Sequence, residues 1–349
     1  MNIAFDCERM KYPHTGLFEY CHQLGIALKA SLNPGDEIKY YVREDNKRYF
    51  EAGSTFLTQN TLHKFIFPRY SNIDLWHTTY QISSYKPQSK KIKKVITIHD
   101  LNFLYEERPE WKRQNYLKQH QQSIDETDHI IAISEFTKQD IIKNLNVAGK
   151  PISVIYNGCA KGTALPDTEP PFLPSGPFLF ALGTVNPKKN FHVLIPLLAN
   201  NDFELIIAGK TEQEYKNKII DEAKKYGVAN RVKVIGPVSE QEKSWYYKNC
   251  VAFLFPSIAE GFGIPPIEAM RFGKPTFLSN STSLPEIGGD LAYYFNSYAP
   301  EDMQKVFNYG MNDYETRQPA AAIIRHAEQF DWDRSAKAYL EVYRKTMNG

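Results

Sequence analysis

Short apolar runs alternating with longer amphipathic segments constrain this chain more than any other feature. In the first half the runs are Ile3–Phe5, Ile38–Val42, Leu62–Phe67, Leu75–His77, Val95–His99, His129–Ile133 and Ser153–Tyr156. Each is short for a helix and apolar enough to be covered on both faces, the signature of parallel strands. Thr15–Ala30, Glu110–Glu126 and Glu135–Leu145 fit helices between them, and Ser134 is placed to cap the last. From Ala160 to Pro177 the pattern stops: Pro166, Pro170, Pro171, Pro174 and Pro177, with Gly162 and Gly176, exclude a helix or a central strand. The alternation resumes with Phe178–Leu182, Phe203–Ala208, Val232–Ile235, Val251–Phe255, Thr276–Leu278 and Ala292–Phe295. The expectation is an α/β chain of two Rossmann-like, doubly wound domains, at 1–165 and 177–330, joined by a linker at 166–176. The length of 349 residues, too long for one ordinary core, agrees. A cleft between two such domains is the natural place for a ligand.

Composition removes several functions. Charged residues make up 23% and the net charge is +2, so bulk nucleic-acid binding is not expected. No run of 18 apolar residues is present, so no transmembrane helix is expected. The opening Met1-Asn2-Ile3-Ala4-Phe5-Asp6 enters a strand pattern at once and carries an acid, unlike a signal peptide. Cys7, Cys21, Cys159 and Cys250 show no Cys-x-x-Cys spacing and no metal-like pairing with histidine, so reduced thiols in the cytoplasm and no metal site are expected.

Four segments carry candidate chemistry. In Pro256–Met270, Glu260 falls in a glycine-flanked loop after an apolar strand, and Glu268 falls on the helix that follows. Loops at the carboxyl ends of parallel strands bind ligands in open α/β sheets. Two carboxylates there, with Gly261 and Gly263 letting backbone amides approach beside Phe262 and Ile264, suit a ligand rich in hydroxyls. Gly183-Thr184-Val185-Asn186-Pro187-Lys188-Lys189-Asn190 stands between a strand and an apolar-periodic segment read as a helix. A helix amino end beside two lysines is a ready anion site, although a solvated Lys-Lys turn reads equally well. His99-Asp100 ends a strand, where a histidine can hydrogen-bond a sugar hydroxyl; a turn-capping pair is the plainer reading. Gly16 precedes the first helix and lets backbone approach a phosphate, but one glycine is no Gly-x-Gly-x-x-Gly fingerprint, so no dinucleotide cofactor is implied. The most basic run, Lys86–Lys94, holds five lysines in nine residues. With Lys64–Tyr70 it reads either as a solvated loop or as a contact for anionic lipid or a polyprenyl-diphosphate acceptor.

The pair Glu260 and Glu268, seven residues apart, resembles the Glu-x7-Glu signature of retaining glycosyltransferases of family 4. Ile96–Phe103, Ile130–Thr137, Val154–Gly158, the Pro-Lys-Lys-Asn loop and Ser283–Asp290 match that family in order and spacing over nearly all the chain. The resemblance implies the GT-B fold, with a last helix near 331–347 returning to the first domain; Trp332, Ala336, Tyr339, Leu340 and Tyr343 have the spacing for its packing face. It implies metal-independent transfer of a sugar from a nucleotide-diphosphate donor to a glycan or lipid-linked hydroxyl, with no other cofactor. In it Lys189 takes the place of the phosphate-binding lysine, with Lys188 and Thr184 where the family often has arginine nearby, and Gly183 opens the same loop. Glu260 and the Gly261–Gly263 amides hold the donor sugar, Glu268 the ribose, and Gly16 lies over the diphosphate. His99 lies beside the reacting sugar and Asp100 borders the acceptor. Resemblance to bacterial polysaccharide mannosyltransferases makes GDP-mannose the first guess for the donor and the inner membrane face a possible workplace. The rival readings are another GT-B enzyme, such as a sugar-nucleotide epimerase, and a non-catalytic sugar-nucleotide-binding scaffold.

Overall fold

In the computed structural model, which describes residues 1–13, 15–159 and 168–349, the apolar runs become two wholly parallel sheets. The chain divides into two compact units, Met1–Ala160 with Phe330–Gly349, and Lys161–Gln329. Residues 160–165 of the expected first domain and 166–167 of the expected linker lie outside the described residues, while 168–176 hold no helix or strand and belong to the second unit.

The first unit contains β1 (Asn2–Asp6), α1 (Gly16–Ala30), β2 (Glu37–Val42), β3 (Thr55–Thr58), β4 (Leu75–Thr78), β5 (Lys93–Ile98), α2 (Glu110–Asp125), β6 (His129–Ala132), α3 (Glu135–Asn144) and β7 (Ile152–Val154). Its strands lie in the order β3-β2-β1-β4-β5-β6-β7. On one face Ile3, Phe5, Leu75, Val95 and Ile131 pack with Leu24 and Leu28 of α1. On the other, Ile96, Ile98, Ile130 and Ala132 pack with Ile124 of α2 and Ile141 of α3. The rest of that second face, at Ala4, Tyr41 and Trp76, is covered by Phe67, Ile73, Tyr85 and Ile92 from the crossovers before and after β4.

One expected strand is not a strand. Leu62–Phe67 forms a one-turn 3-10 helix (Thr61–Lys64) and a loop, and the edge strand is Thr55–Thr58 instead. The reason is local. The Asn60 side chain accepts from the Leu62 N–H, and the Asn60 N–H reaches back to His63 Nδ1, a capping box that turns the chain before it can extend.

The second unit contains β8 (Phe178–Leu182), β9 (Glu204–Ala208), α4 (Gln213–Lys225), β10 (Val232–Gly236), α5 (Glu240–Asn249), β11 (Ala252–Phe255), α6 (Ile264–Arg271), β12 (Thr276–Ser279), α7 (Leu284–Gly288), β13 (Tyr293–Phe295), α8 (Pro300–Arg317) and α9 (Ala320–Glu328). The sheet order β10-β9-β8-β11-β12-β13 sets β8 and β11 side by side at its centre. The loops leaving these two strands therefore emerge together.

The last helix, α10 (Trp332–Asn348), belongs to the first unit and packs on α1. Its Ala336, Tyr339, Leu340 and Tyr343 are fully buried there. Beneath them is a buried polar set: Tyr339 and Tyr20 hydroxyls 2.8 Å apart, Tyr20 donating to Thr97 Oγ1 at 3.1 Å, and His77 between Thr97 (2.8 Å) and the Tyr343 hydroxyl (2.7 Å). Burial, with His99 nearby, lowers the His77 pKa to about 3, so it is a neutral link in this set.

Candidate active site

The loop after β8 is built around lysine. Gly183 has φ +152°, and a Cβ there would stand 3.0 Å from Lys189 Cε, so glycine lets the lysine lie across the backbone. Asn186 caps the turn Pro187–Lys189 by accepting from the Lys189 N–H. The segment Phe191–Leu198 that follows is a 3-10 helix carrying Pro196, where an α-helix was expected; its His192 N–H faces the Tyr215 hydroxyl at 3.4 Å. Charge in this loop therefore comes from side chains more than from a helix end.

Lys189 Nζ lies 2.5 Å from Glu260 Oε1, the lysine and glutamate side chains each being 13% exposed, and 4.5 Å from the centre of the buried Phe255 ring. Ser257 Oγ also donates to that Glu260 oxygen, and lies 3.3 Å from the Lys188 carbonyl. The Ile258 N–H donates to the same carbonyl at 2.9 Å, which ties the β8 loop to the β11 loop. The Glu260 N–H donates to Thr282 Oγ1, and Ser283 Oγ donates to the Glu260 and Phe262 carbonyls. Burial pushes the Glu260 carboxyl up, but the lysines at 189 and 188 outweigh it and leave it below its ordinary value. Burial lowers Lys189, against the pull of Glu260. Lys189 and Glu260 thus form a mutually held, poorly hydrated pair.

Glu268 sits on α6, which follows an N-cap at Gly263 (φ +122°); with that backbone and a Cβ 2.8 Å from Leu284 Cδ2, a glycine is needed. Pro265 and Pro266 occupy the first turn, where N–H groups have no helical acceptor. Glu268 Oε1 is 2.6 Å from Lys243 Nζ, and Oε2 accepts from the Tyr247 hydroxyl at 2.8 Å. Burial opposes charge on Lys243, yet Glu268 and Glu240 hold its pKa well above the usual lysine value. Each carboxylate of the pair is thus held by one lysine and one hydroxyl. Lys243 and Tyr247 escaped the sequence reading because both are ordinary residues on α5 and only the fold brings them to Glu268; Ser257 and Ser283 escaped it as ordinary loop serines, the first bonding the Glu260 carboxylate and the second the Glu260 and Phe262 backbone carbonyls.

The first unit carries the remaining candidates. His99 is buried at the end of β5, with the Tyr20 ring edge-on at 4.6 Å. Its Nε2 donates to the Thr79 carbonyl at 2.7 Å, which leaves Nδ1 as an acceptor. Burial lowers its pKa to about 4, partly offset by that bond and by Asp100, so at neutral pH the imidazole carries no charge. Asp100 Oδ1 accepts from the Asn102 N–H, the turn-closing role. Gly16 opens α1 behind the Thr15 cap, and a Cβ there would meet nothing within 4 Å, so packing does not require glycine. The sequence reading also passed over Asp6, Glu8 and Arg9 after β1. Asp6 is fully buried, accepts from the Glu8 N–H and Ser83 Oγ, and has its pKa raised to about 8 by burial and by Glu8. The Arg9 guanidinium stacks 4.0 Å from the Tyr80 ring. Among the described residues no three His, Cys, Asp or Glu side chains gather as metal ligands would.

Two units, each a parallel sheet covered by helices, have the fold of a class, the GT-B glycosyltransferases. Family models place the chain within it: Glycosyl transferases group 1 matches residues 169–327 and Glycosyltransferase Family 4 matches residues 26–160, so the chain belongs to the family 4 glycosyltransferases. It is similar to the O-antigen chain mannosyltransferase B of Escherichia coli, 24% identical over 99% of this chain and 100% of that one. It also resembles the serotype-specific mannosyltransferase WbdA of Escherichia coli, 28% identical over 63% of this chain, but spans only 29% of that protein's length. Sucrose-phosphate synthase from Thermosynechococcus elongatus shares the fold, with a TM-score of 0.75 at 18% identity over 99% of this chain and 98% of that one.

Proposed function

We propose that this chain transfers a hexose, mannose first, from a nucleoside-diphosphate donor to a hydroxyl of a glycan or lipid-linked acceptor in surface polysaccharide synthesis. The observation that carries the reading is the Lys189–Glu260 pair, 2.5 Å apart and little exposed. A donor diphosphate draws Lys189 to its oxygens, and Glu260 is freed to accept from the donor sugar's hydroxyls. Glu268, oriented by Lys243 and Tyr247, accepts from ribose hydroxyls. In the transfer the bond from the anomeric carbon to the phosphate oxygen breaks, and charge gathers on the departing diphosphate, where Lys189 offsets it without a metal. The acceptor oxygen bonds the same face of that carbon, and its proton passes to the departing phosphate oxygen, so configuration is retained. His99 accepts from a sugar hydroxyl, Asp100 borders the acceptor, and the Gly16 amide approaches the diphosphate. The guess of GDP-mannose follows the named activity of the mannosyltransferase relatives. The proposed workplace is the cytoplasm at the inner face of the membrane; no helix among the described residues is long and apolar enough to cross a membrane.

A thermal-shift panel of nucleotide sugars tests the reading, since a ligand at 100 times its dissociation constant adds about 2.7 kcal/mol. GDP-mannose is expected to stabilise most, and nucleotide release is expected to require an acceptor. Release that proceeds without an acceptor, or no response to any nucleotide sugar, contradicts it.

A further inference from the structure

Nothing in the fold accounts for the exposure of Leu62, Phe65 and Ile66. They are 69%, 84% and 80% exposed and lie within five residues, whereas surface apolar side chains ordinarily occur singly. The capping box at Asn60 fixes the turn that presents them. Their surroundings are basic. Between Glu51 and Asp100 the only acid is Asp74, against Lys64, Arg69, Lys86, Lys90, Lys91, Lys93 and Lys94. The two crossovers that carry these charges touch: Lys64 Nζ lies 5.8 Å from the centre of the Tyr85 ring, and Phe67 and Tyr85 both pack on Tyr41.

Beside the triplet, where β1, β2 and β3 end, is a depression of about 340 Å³. Lys11, Arg43 and Lys64 line it, together with Glu44 and Asp45. Gln59 lines it too, and its buried Nε2 has no hydrogen-bond partner among the described residues. Lys64 is exposed and forms no ion pair among the described residues, whereas Lys11 is held by Glu8. The Lys86–Lys94 run is less available than its sequence suggests. Lys86 pairs with Glu126 at 3.1 Å, Lys93 and Lys94 are half-buried in β5, and only Lys90 and Lys91 stand exposed.

We propose that Leu62, Phe65 and Ile66 insert into the interfacial layer of an anionic lipid bilayer while Lys64 and the depression behind it meet headgroup phosphates. A bilayer offers an apolar layer directly beneath an anionic one, and a projecting apolar triplet with a basic surround complements both. The contact is peripheral and stands apart from the donor chemistry.

Phe65→Cys in the full chain, labelled with an environment-sensitive dye, tests it; the four native cysteines are all buried, so labelling is selective. Vesicles of phosphatidylglycerol and phosphatidylcholine are expected to shift the emission to the blue, and pure phosphatidylcholine vesicles are not. A dye at Tyr309→Cys, 66% exposed on the other unit, is expected not to respond. Leu62→Ser with Phe65→Ser and Ile66→Ser is expected to lower vesicle partition ~10–100-fold, from the apolar area withdrawn. Lys90→Gln with Lys91→Gln is expected to keep most of it. No shift at position 65, an equal shift at position 309, or a shift that follows protein concentration without vesicles overturns the proposal, the last meaning that a second copy covers the loop. The thermal response to nucleotide sugar, measured on the same proteins, reports folding and the donor site separately from membrane contact.

Discussion

At the scale of residues, the candidate donor site is two carboxylates, each tied to a lysine and a hydroxyl. Lys189→Ala is expected to slow sugar transfer by roughly 10²–10³, the cost of one preorganised donor at a developing oxyanion. Single-turnover rates with and without a chelator check it, and loss of activity to the chelator alone contradicts a metal-free step. Glu268→Gln is expected to weaken donor binding more than the rate at saturating donor, because a ribose contact is the same in ground and transition states. A collapsed rate with unchanged donor affinity removes that role. Asp6 has a pH signature of its own. Unfolded, its carboxyl loses a proton near 3.8, but folded it holds the proton to about 8, so the folded state binds the extra proton in between. Stability from this group is therefore lost as pH rises through that window, by up to ~1.4 kcal/mol per pH unit. Asp6→Asn, which imitates the protonated form, is expected to gain on the wild type as pH rises, read by urea unfolding; a constant difference between the two across that window rejects the shift.

At the scale of elements, most of the architecture was legible because parallel strands covered on both faces are apolar throughout and short. Phe178–Leu182 was read with the bounds the structure gives it. Leu62–Phe67 misled because composition cannot tell an apolar run that faces the core from one turned outward by a side-chain cap at Asn60. The helix expected after Asn190 became a 3-10 helix because Pro196 withholds an N–H from its ladder. Glu260 and Glu268 were visible as a spacing, whereas Lys189 comes from the β8 loop and Lys243 and Tyr247 from α5, joined to the carboxylates only by folding; Ser257 lies three residues before Glu260 in the same loop. The last helix was legible as an apolar stripe, but the polar set beneath it was not. Tyr343→Phe removes the partner of buried His77 Nδ1 and is expected to cost about 1–3 kcal/mol, measured by denaturant unfolding. An unchanged midpoint means that the imidazole finds another partner.

At the scale of the whole molecule, the second unit is one continuous stretch, Lys161–Gln329, and the first is not: its core is completed by Phe330–Gly349 after the chain has passed through the second. This sets an order of events during synthesis. A ribosome that has released residues through Gln329 has delivered everything the second unit needs, while α1 still lacks the helix that covers it. Tyr20 and His77 then have no Tyr339 or Tyr343 to meet. The first half of the message therefore encodes a nascent segment that waits, with an apolar face for chaperones to guard, until the later half has already folded. A force-sensing arrest sequence placed at successive lengths is expected to register folding of the second unit before that of the first, and the reverse order contradicts it.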